Sequence, residues 1–140
     1  MFIGLNCIQE TKNTLKFIII SKNEEKIEQT VLDIFDVFFI EEKESTKAIE
    51  DLKKQKNDIG FSRDINVYID KNYHIEITVL SGIKSAKGQR APFLIIDKDI
   101  KIEEYDIYDI ILPITQNHQS TKLFTNGKRI FVNIMKGEKL

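Results

Sequence analysis

The chain has 140 residues and a formal net charge of −1. That length fits one domain with enough buried surface to fold unaided, and the charge excludes a protein that coats nucleic acid without specificity. Its single cysteine, Cys7, excludes an internal disulfide and a cysteine-built zinc cluster.

A lone thiol fits a reducing compartment. The opening MFIGLNCIQETK has neither the basic start nor the long apolar core of a signal peptide, and no apolar run approaches a membrane span. A cytoplasmic protein without a membrane contact is therefore expected. Abundant Ile, Lys, Asn, Asp and Glu and the absence of Trp suggest an AT-rich genome, such as that of a low-GC bacterium or its mobile elements.

Residues 2–8 and 15–20 read as strands around the polar turn QETKNT. Ser21 with Glu24 three residues on forms a capping-box pattern, so a helix is predicted from Ser21 to Phe35. Ile27, Val31, Ile34 and Phe35 give it one apolar face. The β-branched and aromatic run Asp36–Ile40 reads as a short strand. A second, mostly polar helix is expected over 44–57, with Ala48, Ile49 and Leu52 as its narrow apolar stripe.

Strict alternation over 64–69 and 73–80 predicts a hairpin turning at Asp70-Lys71-Asn72. Strands are expected near 92–97 and 106–114. Asn126-Gly127 between two apolar runs predicts a second hairpin over 121–135. Ile65, Val67, Ile75, Ile77, Phe131 and Ile134 are expected to share one core. The fold class is therefore α+β in a single domain, 1–140. Two helices lie in an N-terminal lobe (1–60), and a mostly antiparallel sheet or small barrel forms the β-rich core (61–140).

Charge locates the candidate site. Residues 1–60 carry 12 acidic and 9 basic side chains, whereas 61–140 carry 10 and 12. Because 97–109 is acidic, an anion-binding face must come from the basic segments 81–91 and 122–139. The loop holding Lys84, Lys87, Gly88 and Arg90 joins two apolar strands and can present donors to a phosphate. The same lysines also suit a solvated loop.

Other chemistries find little in the sequence. His74 and His118 do not form the paired His-x-Ser/Thr motif of two-histidine phosphoesterases, since Glu76 stands where the first motif needs a hydroxyl. No His, Asp and Glu trio has metal-ligand spacing, and no glycine-rich phosphate loop is present, so no metal or cofactor is expected. Glu103, Glu104, Asp106 and Asp109 read as a solvated strand edge. Tyr105 and Tyr108 read as half-buried sheet residues.

Taken together, Gly88-Gln89-Arg90-Ala91-Pro92, the strand FLIID and the later ILPIT resemble the MazF/PemK-type toxin pattern and the related CcdB type. The resemblance spans about 73–135 and implies a small SH3-like barrel and a metal-independent endoribonuclease. Arg90 and Thr115 match the family's catalytic arginine and threonine. Lys84, Lys87, Gln89 and Lys122 then become substrate-binding positions, and single-stranded RNA the substrate. Ala91 separates Arg90 from Pro92, which the family has adjacent.

A second class stays open beside it. Short length, the lack of a self-evident catalytic set and the AT-rich composition suit a non-enzymatic binding protein of a mobile element or phage. Such a protein would inhibit a host defence factor or sequester a nucleotide-like or other anionic ligand. Exposed strand edges suit a protein partner or a homodimer.

Overall fold

A strand whose residues are all apolar has two faces to hide, and the runs Phe17–Ile20 and Phe93–Ile96 are of that kind. In the computed structural model the described residues are 13–55, 62–69, 73–115, 122–125, 128–133 and 138–139. Strand β1 (Asn13–Ile20) lies between β3 (Tyr73–Leu80) and β4 (Phe93–Ile96), parallel to both. β2 (Arg63–Tyr68) pairs antiparallel with β3. β5 (Lys122–Thr125) runs parallel to β4, and β6 (Lys128–Asn133) and β7 (Glu138–Lys139) follow antiparallel. The sheet order is β2-β3-β1-β4-β5-β6-β7.

The α+β class holds, and the strands of both expected hairpins pair antiparallel, with Asn126-Gly127 outside the described residues. The sheet is open and mixed, not closed into a barrel. Parallel neighbours on both sides of β1 demand long crossovers, and those crossovers place helices over the sheet faces.

Helix α1 (Glu24–Val37) and helix α2 (Glu42–Gln55) cover one face. Ile27, Val31, Ile34 and Phe35 of α1, with Ala48 and Leu52 of α2, meet Phe17, Ile19, Ile75, Ile77 and Ile95 of the sheet. Ile65 and Val67 join this core as expected. The side chain of Phe131 and the whole of Ile134 lie outside the described residues, as do the predicted strand 2–8 and the turn 70–72. Arg63 fastens β2 to α1 through a bidentate pair with Glu24, at 2.7 and 3.1 Å.

The start and end of α1 both differ from the sequence reading. Its cap is Asn23, whose side chain accepts the Lys26 N–H at 3.1 Å, and not Ser21. At its end there is no strand over 36–40. The helix runs to Val37 and closes in a Schellman turn: Ile40 N–H donates to Phe35 C=O and Phe39 N–H to Asp36 C=O. Phe39 occupies the left-handed position of that turn, at φ 56°.

On the opposite face, Ile18, Ile20, Leu94 and Ile96 pack with Leu80, Ile83, Ala86 and Ala91, and with Ile110, Ile111 and Ile114. The last three belong to a helix, α3 (104–115), where the sequence suggested a strand at 106–114. It is α-helical over Glu104–Asp106, π-helical over Ile107–Ile111 and α-helical over Leu112–Thr115. Burial of Asp106, Ile110, Ile111 and Ile114 follows helical spacing, which the β-branched content of the segment hid. The π turn, closed by Leu112 N–H on Ile107 C=O, stands directly before Pro113, which has no N–H for the carbonyl four residues back. Helices are thus not confined to the first sixty residues. Among the described residues no helix is long and apolar enough to cross a membrane.

Replacing Asn23 with Ala should lower stability by about 0.5–2 kcal/mol through loss of the α1 cap, read as a shift of the denaturant midpoint at constant slope.

Candidate functional site

The chain leaves β1 toward one face of the sheet, through α1, and leaves β4 toward the other, through α3. Adjacent parallel strands whose connections diverge in this way form a topological switch point, and ligands of open sheets with parallel strands bind outside the carboxyl ends there. The first residues beyond those ends are Ser21 and Asp97, each 2% exposed.

They are joined to one another. Ser21 Oγ donates to Asp97 Oδ2 at 2.8 Å and accepts the Asn23 N–H at 3.1 Å. Lys26, one turn into α1, donates to Asp97 Oδ1 at 3.0 Å and to Asp99 Oδ2 at 2.9 Å. The Asp99 N–H also donates to Asp97 Oδ1, at 3.2 Å. The backbone continues the two strands through Ser21 N–H to Leu80 C=O and Asp97 N–H to Ile20 C=O. Lys22, Asn23, Lys98 and Asp99 stand exposed around this pair.

Burial alone would push the Asp97 carboxyl up. The hydrogen bonds from Lys26, Ser21 and the Asp99 backbone, with the charge of Lys26, outweigh it and hold the group below the ordinary carboxylate value. Lys26 is raised above the ordinary lysine value by its bonds to Asp99 and then Asp97. The result is a fixed negative charge at the strand ends, met by one ammonium reaching in from the surface.

A second polar centre holds the basic loop to α3. Asp106, 2% exposed, accepts the Glu103 N–H at 3.0 Å in a capping box and receives Lys84 Nζ at 3.0 Å. Lys84 also lies 4.3 Å from the centre of the Tyr105 ring. The backbone bond from Glu103 and then the pairing with Lys84 keep Asp106 below the ordinary carboxylate value, against its burial. Asp106 is therefore a structural group and not part of a solvated strand edge. Tyr105 and Tyr108 are helix residues, 54% and 64% exposed, and not half-buried in a sheet.

The sequence-derived set divides between the two ends of the sheet. Lys84 sits with Asp106 where α3 begins, after the carboxyl end of β4. Arg90 is exposed just before β4 and donates to the Gln89 C=O at 2.9 Å. The Ala91 N–H bonds the Ile114 C=O at 3.0 Å, so Arg90 and Thr115 flank one backbone contact. Lys122 opens β5 in register with Phe93 at the same amino end of β4. Lys87 is exposed on the loop, beside Gly88 at φ 88°. The side chains of Thr115 and Lys122, and all of His118, lie outside the described residues. Sequence reading missed Ser21, Lys26, Asp97 and Asp99 as a group. The available signal was position: Ser21 and Asp97 are each the first polar residue after a run of four apolar strand residues.

Among the described residues no group of three or more His, Cys, Asp and Glu converges to hold a metal ion. Comparison with protein-family models, curated proteins and solved structures finds no match.

Removing the Ser21 hydroxyl leaves a buried carboxylate short of one donor. Ser21→Ala should cost about 1–3 kcal/mol in chemical denaturation, although Ser21 is not the helix cap. The acid limb supplies an independent check. Asp97 and Asp106, both lowered, add stability that is present above the unfolded value of 3.8 and lost as pH falls through the folded values. Lys26 and Lys84, both raised, add stability that is present below 10.5 and lost as pH climbs through the folded values. Denaturant midpoints should form a plateau between those limits, and Ser21→Ala should make the acid limb shallower.

Proposed function

We propose that the protein is a binding protein for a small nucleotide-like anion, received outside the carboxyl ends of β1 and β4. The observation that carries this reading is the buried Ser21–Asp97 pair at the switch point. Its carboxylate is held ionised, and it is bordered by Lys22, Lys26 and Lys98. Asp97 is buried and already holds three donors, so the exposed Asp99 is the carboxylate left to accept ribose hydroxyls or base N–H groups, and the lysines supply point charges for phosphate. Retention of the ligand, rather than its chemical conversion, suits a site whose hydroxyl and carboxylate already satisfy one another.

A panel of nucleosides and nucleoside mono-, di- and triphosphates tests it by thermal shift and calorimetry. The expected result is a rise in melting temperature for phosphorylated nucleosides, approaching about 2.7 kcal/mol of stabilisation at a hundred times Kd. Asp99→Ser, a change at an exposed residue, should weaken binding by about tenfold or more through one lost charged hydrogen bond. A panel in which no member shifts the protein would refute the reading.

One observation favours a second reading, the metal-independent endoribonuclease implied by the toxin resemblance. The Ala91–Ile114 backbone bond joins the chain neighbours of Arg90 and Thr115, and Lys122 opens the adjoining strand. An arginine fork suits a phosphorane, and attack by the ribose 2′-hydroxyl on the adjacent phosphate would break the P–O5′ bond, releasing a 5′-hydroxyl and leaving a 2′,3′-cyclic phosphate end. If that site cuts, single-stranded RNA is cleaved in EDTA, and Arg90→Ala lowers the rate by about 100- to 1,000-fold. Intact RNA after long incubation rejects it.

A further inference from the structure

The turn between α1 and α2 holds an aromatic residue where the backbone disfavours one. Phe39 sits at φ 56° in the left-handed position of the Schellman turn, a place that glycine fills without strain and a bulky side chain fills at a cost. Strain of this kind is ordinarily offset by burial. Here the ring is 92% exposed, and Val37 beside it is 64% exposed. Its neighbours behave otherwise: Phe38 turns inward to meet the Phe17 ring at 6.3 Å, and Ile40 packs on the same core. Nothing among the described residues therefore explains Phe39.

Single exposed apolar residues are common and need no explanation. A strained, nearly naked phenylalanine next to an exposed valine is a different case, because so exposed a ring adds little packing to the fold while the backbone bears the cost. An aromatic knob on a tight turn has the form of an interface anchor, which fills an apolar pocket on a partner. The surrounding charge selects the partner. Asp36, Glu41 and Glu42 are exposed around the tip, with Lys43 as the one cation in that run. Such a rim repels the anionic surface of a membrane leaflet, and it repels a second copy of the same tip.

We propose that the Val37–Phe39 tip is a protein-docking site whose partner presents an apolar pocket rimmed by lysine or arginine. The site is separate from the Ser21–Asp97 site, and neither depends on the other.

The test uses a fluorescently labelled amphipathic helical peptide of leucine and lysine as a stand-in for that surface, titrated by anisotropy. Phe39→Gly and Phe39→Asn both keep the left-handed turn and remove the ring. Both variants should melt at a higher temperature than the parent protein, since the strain is relieved. Both should also bind the peptide about tenfold more weakly or worse, the size of a hot-spot truncation. Parent binding should weaken with added salt. Equal affinity for parent and variants would overturn the proposal. So would equal binding of a leucine and glutamate peptide, or binding to phosphatidylcholine–phosphatidylserine vesicles in place of the peptide. A dimer in sedimentation that both variants abolish would overturn it in favour of self-association.

Discussion

The Phe17–Ile20 half of strand β1 has no free edge and no free face. Neighbours pair with it on both sides, and apolar layers cover it above and below, so Ile18, Ile19 and Ile20 have no exposed surface at all. Everything that leaves its carboxyl end must therefore find polar partners inside the protein. The Ser21–Asp97 bond answers that demand, and Lys26 and the Asp99 backbone complete it. One buried carboxylate thereby joins the ends of two strands to the first turn of α1. An unpaired charge in that place would cost several kcal/mol, so the arrangement tolerates the loss of no single donor lightly.

The same constraint explains where chemistry collects. Interior positions of β1 and β4 are spent on packing, which leaves functional groups to the residues just past the strands and to the connections. Lys84, Asp106 and Tyr105 make a second polar knot, but its geometry fastens the basic loop to α3 and leaves little for a ligand. The cationic loop is thus partly structural. Lys84 is engaged, whereas Lys87 and Arg90 project into solvent.

Much of the fold was legible in the sequence. Alternation over 64–80 gave the β2–β3 hairpin, and Ile27, Val31, Ile34 and Phe35 gave the buried face of α1, because both signals are periodic and local. Errors came where local preference and tertiary context disagree. Asp36–Ile40 looks like a strand by composition but ends α1 and closes its Schellman turn. Residues 106–114 look like a strand by their isoleucines but wind into α3 against the sheet. Ser21 has the right type and spacing for a cap, yet a carboxylate 76 residues away takes its hydroxyl. The candidate site was hidden for the same reason: Ser21, Lys26 and Asp97 meet only once β1 and β4 lie side by side, and no short motif records that pairing.

The pairing of β1 has a further consequence for how the chain comes to be folded. Its partners lie about sixty residues later in β3 and further still in β4. Contacts of such separation form slowly, since a long loop must close before any of them rewards it. During synthesis, at roughly 5–20 residues per second, β1 waits several seconds for β3 to be made. Throughout that wait, the run Phe17–Ile20 is a sticky segment without its sheet. The two helices that follow it are the first elements able to shelter one of its faces. The amphipathic stripes of α1 and α2 thus serve as a nascent cover as well as a finished layer, and their order in the chain shields the most aggregation-prone segment before its strand partners exist.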